Sequence, residues 1–241
     1  MIRQFLGATL ALSCAFACTG CREINEASSE DAGSLRQRVQ VSQPVALPAA
    51  TWMPSGPTHR WRTRFQARKP SADANEFDRV EEVRGTGVRL RGGRRMVGLL
   101  AVGADGRSSR EEWYVDRPEG RCLSEAGGGA DRLVFEPPFP VLPAKAVPGN
   151  TVPWSGTVRF AGRATPANGY VRFRGFEPIA TSEGQRDAAC VETVLIAGGT
   201  GAGALRLPMV RWFLPKVGAV RVWFKSGDTE YLRETIAFRQ R

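Results

Sequence analysis

The chain has 241 residues, of which 42% are hydrophobic and 24% are charged, and its formal net charge is +10. These proportions are typical of globular proteins and exclude a chain that is disordered throughout. Arginine carries nearly all of the positive charge and alternates with apolar residues, as in residues 61–65 and 171–174. That alternation favours arginines on the solvated face of strands over the basic, aromatic-rich clusters that bind nucleic acid, so no nucleic-acid partner is expected.

The first residues have the order of a bacterial lipoprotein signal. Arg3 precedes an apolar run at residues 5–17, and Thr19 and Gly20 stand directly before Cys21. The run is shorter than the ~20 apolar residues that cross a bilayer. We therefore expect residues 1–20 to be a lipoprotein signal peptide and Cys21 to be the lipidated N-terminus, which makes the membrane a partner.

The stretch that begins at Cys21 indicates both a cellular location and a flexible tether. Arg22 stands where an aspartate, in enteric bacteria, resembles an inner-membrane retention signal. The expected location is therefore the cell envelope, lipid-anchored in the outer membrane and facing the periplasm or the cell surface. Residues 21–57 are rich in Ala, Ser, Glu, Gln and Pro, a composition that predicts a flexible tether.

From residue 58 onward the sequence alternates with a period of two. Trp61, Thr63, Phe65 and Ala67 share one parity, and arginine or glutamine stands between them. Because successive side chains of a strand point to opposite faces, this pattern predicts strands with one packed and one solvated face. The alternation returns at residues 88–91, 111–116, 154–160 and 220–225, with glycine-containing turns between the runs. Residues 58–241 are therefore predicted to be a mainly β domain, a single antiparallel meander with little helix.

A proline-rich stretch interrupts this pattern near the middle of the domain. Residues 135–143 contain four prolines. Proline cannot donate a hydrogen bond to a strand ladder. The stretch is therefore predicted to be an extended crossover or a sheet-edge segment.

Two cysteines remain in the mature domain, because Cys14 and Cys18 leave with the signal and Cys21 takes the lipid. Cys122 and Cys190 would be exposed to an oxidising compartment, where they could form a disulfide. The alternative, two small buried apolar residues on separate strands, is left open. No metal site is expected, since the chain has one histidine, His59.

The sequence contains no recognisable catalytic pattern. Residues 198–203 are rich in glycine, but a strand pattern follows them, so they predict a hairpin loop and not a phosphate loop. The chain lacks a Gly-x-Ser-x-Gly motif. The carboxylate pairs Glu81-Glu82 and Glu111-Glu112 are sequence neighbours, which face opposite sides of a strand, and solvated charge is the favoured interpretation. No enzymatic activity and no cofactor are expected.

The C-terminal half carries a recurring pattern. It consists of Phe139-Pro140-Val141-Leu142-Pro143, then Pro148-Gly149 and Trp154-Ser155-Gly156, then the run from Arg211 to Arg221 with Pro215 and Gly218 at a bend. This pattern resembles a group of uncharacterised bacterial envelope proteins, which are similar to the lipoprotein-carrier superfamily of the LolA and LolB type. The resemblance covers roughly residues 135–238 and implies a single curved antiparallel sheet, a half-barrel with an apolar concavity. It brings no catalytic residues.

Seven aromatic side chains are candidates for lining such a concavity, or else for filling a core: Trp61, Phe65, Trp154, Phe160, Phe173, Trp212 and Phe213. Two functions follow for a non-enzymatic envelope lipoprotein. One is binding of a lipid or other apolar ligand, which predicts a dry apolar cavity. The other is an envelope scaffold or protein-interaction module, which predicts a filled core and an exposed apolar surface. The oligomeric state stays open.

Overall fold

A computed structural model describes residues 43–69, 77–103, 106, 108–128, 132–181, 184–198 and 204–240. These residues form fourteen strands and one short helix, α1 (Ala49–Trp52). The strands are β1 (Val45–Ala46), β2 (His59–Arg68), β3 (Phe77–Arg91), β4 (Arg94–Val102), β5 (Ser108–Arg117), β6 (Gly120–Gly127), β7 (Leu133–Pro143), β8 (Lys145–Ala146), β9 (Thr151–Phe160), β10 (Arg163–Thr181), β11 (Gly184–Ala197), β12 (Leu205–Leu214), β13 (Gly218–Ser226) and β14 (Thr229–Gln240). The prediction of a mainly β chain is confirmed.

Twelve of these strands close into one antiparallel barrel. Strands β2–β7 and β9–β14 follow one another around the wall, and β14 pairs with β2, with Phe238 opposite Trp61. The predicted half-barrel, a single open curved sheet, is therefore wrong. An open sheet would leave two unpaired edges, whereas closure pairs every backbone edge and leaves the period-two pattern unchanged.

Strand β2 illustrates how the alternation builds the wall. Trp61, Thr63, Phe65 and Ala67 are buried, and the residues between them are exposed or half-buried. The inward face of β2 thus fills the barrel, as the sequence predicts. The predicted bend near Pro215 is also present, since it lies in the turn between β12 and β13.

Residues 43–57, which composition assigns to the tether, belong to the folded domain. Leu47 and Met53 are 1% and 4% exposed, and β1 pairs with β8 to form a separate two-stranded sheet. We call residues 43–57 the closing segment, because they cross one end of the barrel. The segment hydrogen-bonds to three places on that rim: Leu47 N donates to Ala144 O (2.8 Å), Lys216 N to Thr51 O (2.6 Å) and Gly87 N to Ser55 O (2.7 Å).

The proline-rich stretch is neither a crossover nor an edge, because it forms most of β7 inside the wall. Strand β7 pairs with β6 on one side and with β9 on the other. The ladder with β6 shifts register between Leu123 and Glu125, and the pairs resume at Phe139. The wall thus accommodates prolines by skipping the ladder bonds that they cannot donate.

The predicted disulfide is not formed. Cys122 on β6 and Cys190 on β11 are free, buried thiols. The two strands lie four positions apart in the barrel wall, which corresponds to roughly 19 Å of sheet at ~4.8 Å per strand. A disulfide needs Cα atoms within ~6.8 Å. Burial raises the pKa of both thiols, that of Cys122 to about 11, so both behave as the small buried apolar residues of the alternative.

Candidate functional site: a charged layer inside the barrel

Among the described residues, five largely buried charged side chains face the barrel interior, and we call them the charged layer: Glu81, Arg110, Glu112, Arg211 and Arg233. They come from β3, β5, β12 and β14, which are brought together by barrel closure. Arg211 is 8% exposed, and the side chains of the other four are 1–19% exposed. Three arginines against two glutamates leave these five side chains with one positive charge in excess. The more exposed Arg79, whose Nη2 lies 3.5 Å from Glu81 Oε2, adds a further positive charge beside them.

Arg110 and Glu112 form the centre of the layer. Arg110 donates to Glu81 Oε1 at 3.0 Å, and its Nε lies 3.4 Å from Glu112 Oε1. The same Glu112 oxygen lies 3.4 Å from Arg233 Nη1, and the Tyr114 hydroxyl donates to Glu112 Oε2. Both carboxylate oxygens of Glu112 are therefore engaged.

These contacts determine the ionisation of Glu112. Burial would raise the pKa of its carboxyl, because a charged group is disfavoured away from water. The charges of Arg233 and Arg110 and the Tyr114 hydrogen bond outweigh that effect and lower the pKa from 4.5 to about 2. Glu112 is thus negatively charged at neutral pH.

Arg211 is the member of the layer without a carboxylate partner. Its Nη1 donates to the Thr193 hydroxyl at 3.2 Å, and no carboxylate oxygen of the described residues lies within 4 Å of its guanidinium. Burial lowers the pKa of Arg211, but an arginine keeps its proton in proteins. Arg211 is therefore the arginine of the layer whose charge is balanced only through space, by Glu112.

A cavity of about 30 Å³ lies between the charged layer and the closing segment. Glu112, Arg211 and Arg233 line it on one side, and Met53 and Pro54 of the closing segment on another. Thr63 also lines it, and the buried Thr63 hydroxyl has no hydrogen-bond partner among the described residues. A water-sized group needs ~10–15 Å³, so the cavity has room for about two such groups.

The seven predicted lining residues are not brought to one site. Trp61 and Phe213 line the cavity. Trp154 and Phe173 belong to the main apolar core, and Phe65 packs against Tyr231 in a separate cluster. Two of the seven are only partly buried: Phe160 and Trp212. The predicted lipidation site, Cys21, lies outside the described residues.

The interpretation of the carboxylate pairs as solvated charge is wrong for one member of each pair. Glu82 and Glu111 are exposed or half-buried, whereas Glu81 and Glu112 face the interior. In the sequence, Trp113 and Val115 indicated that their own face of β5 is the packed one. In the structure they do pack, against Met96, but on the outer face of the barrel wall. The alternation of Arg110, Glu112 and Tyr114 was the available signal, because opposite charges at one parity can pair in a core.

Comparison with known proteins gives structural likeness alone. No family model matches the chain, and no curated protein matches it. A candidate lipoprotein from Parabacteroides distasonis is similar over 78% of this chain and 99% of its own, with 11% identity and a TM-score of 0.41. A candidate exported protein with a YmcC-like fold from Bacteroides fragilis is similar over 79% of this chain and 99% of its own, with 10% identity and a TM-score of 0.44. The hypothetical lipoprotein YmcC of Escherichia coli is similar over 73% of this chain and 84% of its own, with 7% identity and a TM-score of 0.36.

At these identities and TM-scores the likeness assigns no activity, ligand or partner. None of these three solved structures is described as a lipoprotein carrier of the LolA type. No helix within the described residues is long and apolar enough to span a membrane. Nor do the described ranges bring three metal-ligating side chains together.

Proposed function

We propose that the chain is a non-enzymatic lipoprotein of the bacterial cell envelope, anchored by acylation of Cys21, whose barrel is a scaffold that acts through its outer surface. The observation that carries this proposal is the filled interior. An apolar ligand would need a dry cavity of ~300–1,000 Å³. The interior cavity beneath the closing segment measures about 30 Å³ and is bordered by charged groups.

The main apolar core of the described residues is occupied by packed side chains. It joins β4–β7 and β9–β12 with the closing segment, and its rings contact one another edge to face, with the Phe139 and Trp154 centroids 5.2 Å apart. Such packing leaves no space for an acyl chain within this core. It favours the scaffold over the ligand carrier.

The hairpin between β3 and β4 offers the exposed apolar surface that a scaffold requires. Val88 and Leu90 are 56% and 78% exposed. Three exposed arginines flank them, Arg89, Arg94 and Arg95, and no acidic residue occurs within residues 88–97. Strand β3 pairs with β2 only up to Arg84, so the hairpin extends beyond the barrel at the end that the closing segment covers.

The chemistry of this hairpin fits an anionic membrane surface. Arginines attract anionic headgroups, each contributing ~1 kcal/mol near the surface, and exposed aliphatic side chains can enter the interface. The closing segment, which begins at residue 43 and follows the predicted tether in the sequence, lies at the same end of the barrel. The hairpin would therefore hold the scaffold against the membrane that carries the lipid anchor.

Vesicle binding of the unacylated variant Cys21→Ser tests the hairpin apart from the anchor. We expect it to cosediment with phosphatidylglycerol-containing vesicles and not with phosphatidylcholine vesicles. Adding Leu90→Ser, Arg94→Gln and Arg95→Gln should weaken binding at least about tenfold, since two charges near the surface are lost.

The matched control is Val152→Ser with Arg163→Gln and Arg206→Gln. It removes one exposed aliphatic side chain and two exposed arginines elsewhere on the barrel. It should bind as the parent does. Equal loss in both triple variants, or crosslinking of the hairpin to an envelope protein without vesicle binding, would contradict the membrane-facing role.

A further inference from the structure

We infer that the cavity beneath the closing segment is a binding site for one small monovalent inorganic anion of the halide class, held by Arg211 and Thr63. The site is independent of the hairpin and of the lipid anchor. Three properties of the cavity support an anion site: the charge of the side chains around it, their hydrogen-bond donors and its size.

The first argument is charge. The five side chains of the charged layer have one positive charge in excess, and Arg211 is the arginine without a direct carboxylate contact. Glu112 attracts Arg211 through space, but the same carboxylate is shared with Arg110 and Arg233. A buried excess of positive charge is destabilising. One monovalent anion in the cavity would offset the excess of these five side chains.

The second argument is hydrogen bonding. The Thr63 hydroxyl is buried, finds no hydrogen-bond partner in the part of the chain that the structure describes, and lines the same cavity as Arg211. Buried hydroxyl groups are normally hydrogen-bonded. Thr63 lies on β2 and Arg211 on β12, so donors from two different strands border one space. An anion accepts from both donors, whereas a second cation would be repelled.

The third argument is size and shielding. At about 30 Å³ the cavity admits a single halide-sized ion and excludes a phosphate ester, a sugar or a lipid headgroup. Trp61, Phe213, Met53 and Pro54 surround it with apolar atoms. Removal of water strengthens an ionic contact. Since Met53 and Pro54 belong to the closing segment, the site is complete only when that segment covers the barrel.

Thermal unfolding of the mature chain at constant ionic strength tests the site. Sodium chloride is exchanged stepwise for sodium gluconate, whose anion is too large for the cavity. We expect the midpoint to rise by about 3–5 °C for each tenfold increase in chloride above its dissociation constant. The variant Arg211→Met should lose this chloride dependence.

The control Arg206→Gln removes an exposed arginine from the same strand and should keep the full dependence. If Arg211→Met does not fold, Thr63→Val serves in its place, and its chloride dependence should shift to at least tenfold higher concentration. Chloride-35 line broadening should be present in the parent and reduced in the variant. An equal response to chloride and gluconate in the parent, or an unchanged response in both cavity variants, would overturn the inference.

Discussion

We expect Glu112→Gln to lower the free energy of unfolding by about 3–5 kcal/mol, the usual cost of removing one partner from a buried ion pair. Glu112 is the carboxylate that Arg110 and Arg233 share, and it accepts the Tyr114 hydroxyl. Glutamine is nearly isosteric but neutral, so the charged layer would gain a second uncompensated positive charge. Denaturant unfolding monitored by tryptophan fluorescence measures the loss.

The pH dependence of unfolding distinguishes a loss of the Glu112 charge from a loss of packing around this side chain. The pKa of Glu112 is about 2 in the folded protein, against 4.5 as its ordinary value. A lowered carboxyl pKa contributes stability that is present above pH 4.5 and is lost as the pH falls from 4.5 towards 2. A difference of this size corresponds to about 3 kcal/mol. In Glu112→Gln this part of the acid dependence should be missing.

Glu119→Gln is the control for the same experiment. Its side chain is 53% exposed and lies 3.9 Å from Arg117 in an ion pair. Exposed pairs contribute ~0–1 kcal/mol, so this variant should unfold nearly as the parent does. If Glu112→Gln matched the control in stability and in acid dependence, the charged layer would not have the role that its geometry indicates.

The substitution Gly85→Ala should detach the closing segment from the barrel. A Cβ at this position would collide with backbone atoms of Gly56 and would lie 2.7 Å from the carbonyl of Ser55. Backbone atoms cannot rotate away as a side chain can, so either β3 or the segment must move. We expect a loss of about 1–3 kcal/mol, as for other overpacked sites.

Hydrogen exchange locates the effect of that substitution. The amides of Gly87 and Lys216 donate to Ser55 and Thr51 of the closing segment. Both amides should exchange faster in Gly85→Ala. In the control Gly128→Ala the added Cβ meets no atom of the described residues within 4 Å, so stability should stay within ~0.5 kcal/mol of the parent. Unchanged protection of both amides in Gly85→Ala would show that the closing segment is not held by this contact.

The local pattern of the sequence was sufficient for the strands and their two faces. The alternation around Trp61 and Phe65 predicted β2 and its buried face, and the bend at Pro215 was also predicted. Closure of the barrel was not predictable in this way, because the pairing of β14 with β2 joins residues nearly 180 positions apart, and the same alternation suits an open sheet.

The candidate site was hidden for a different reason. A charged residue in an alternating strand is usually solvated, so Glu81 and Glu112 were interpreted as solvated charge. Only in the closed barrel do β3, β5 and β12 face the same interior, where their charged side chains can pair. The closing segment was missed because two isolated apolar residues, Leu47 and Met53, are too few to give a periodic signal.

The most direct measurement is the intact mass of the protein extracted from its own membrane, taken under native and then under denaturing conditions. We predict a denatured mass equal to the chain from Cys21 plus its acyl groups, and a native mass that contains no additional lipid. A chain that still carries Met1, a chain without acyl groups, or a native complex with one bound lipid per barrel would contradict a lipid-anchored barrel with a filled interior.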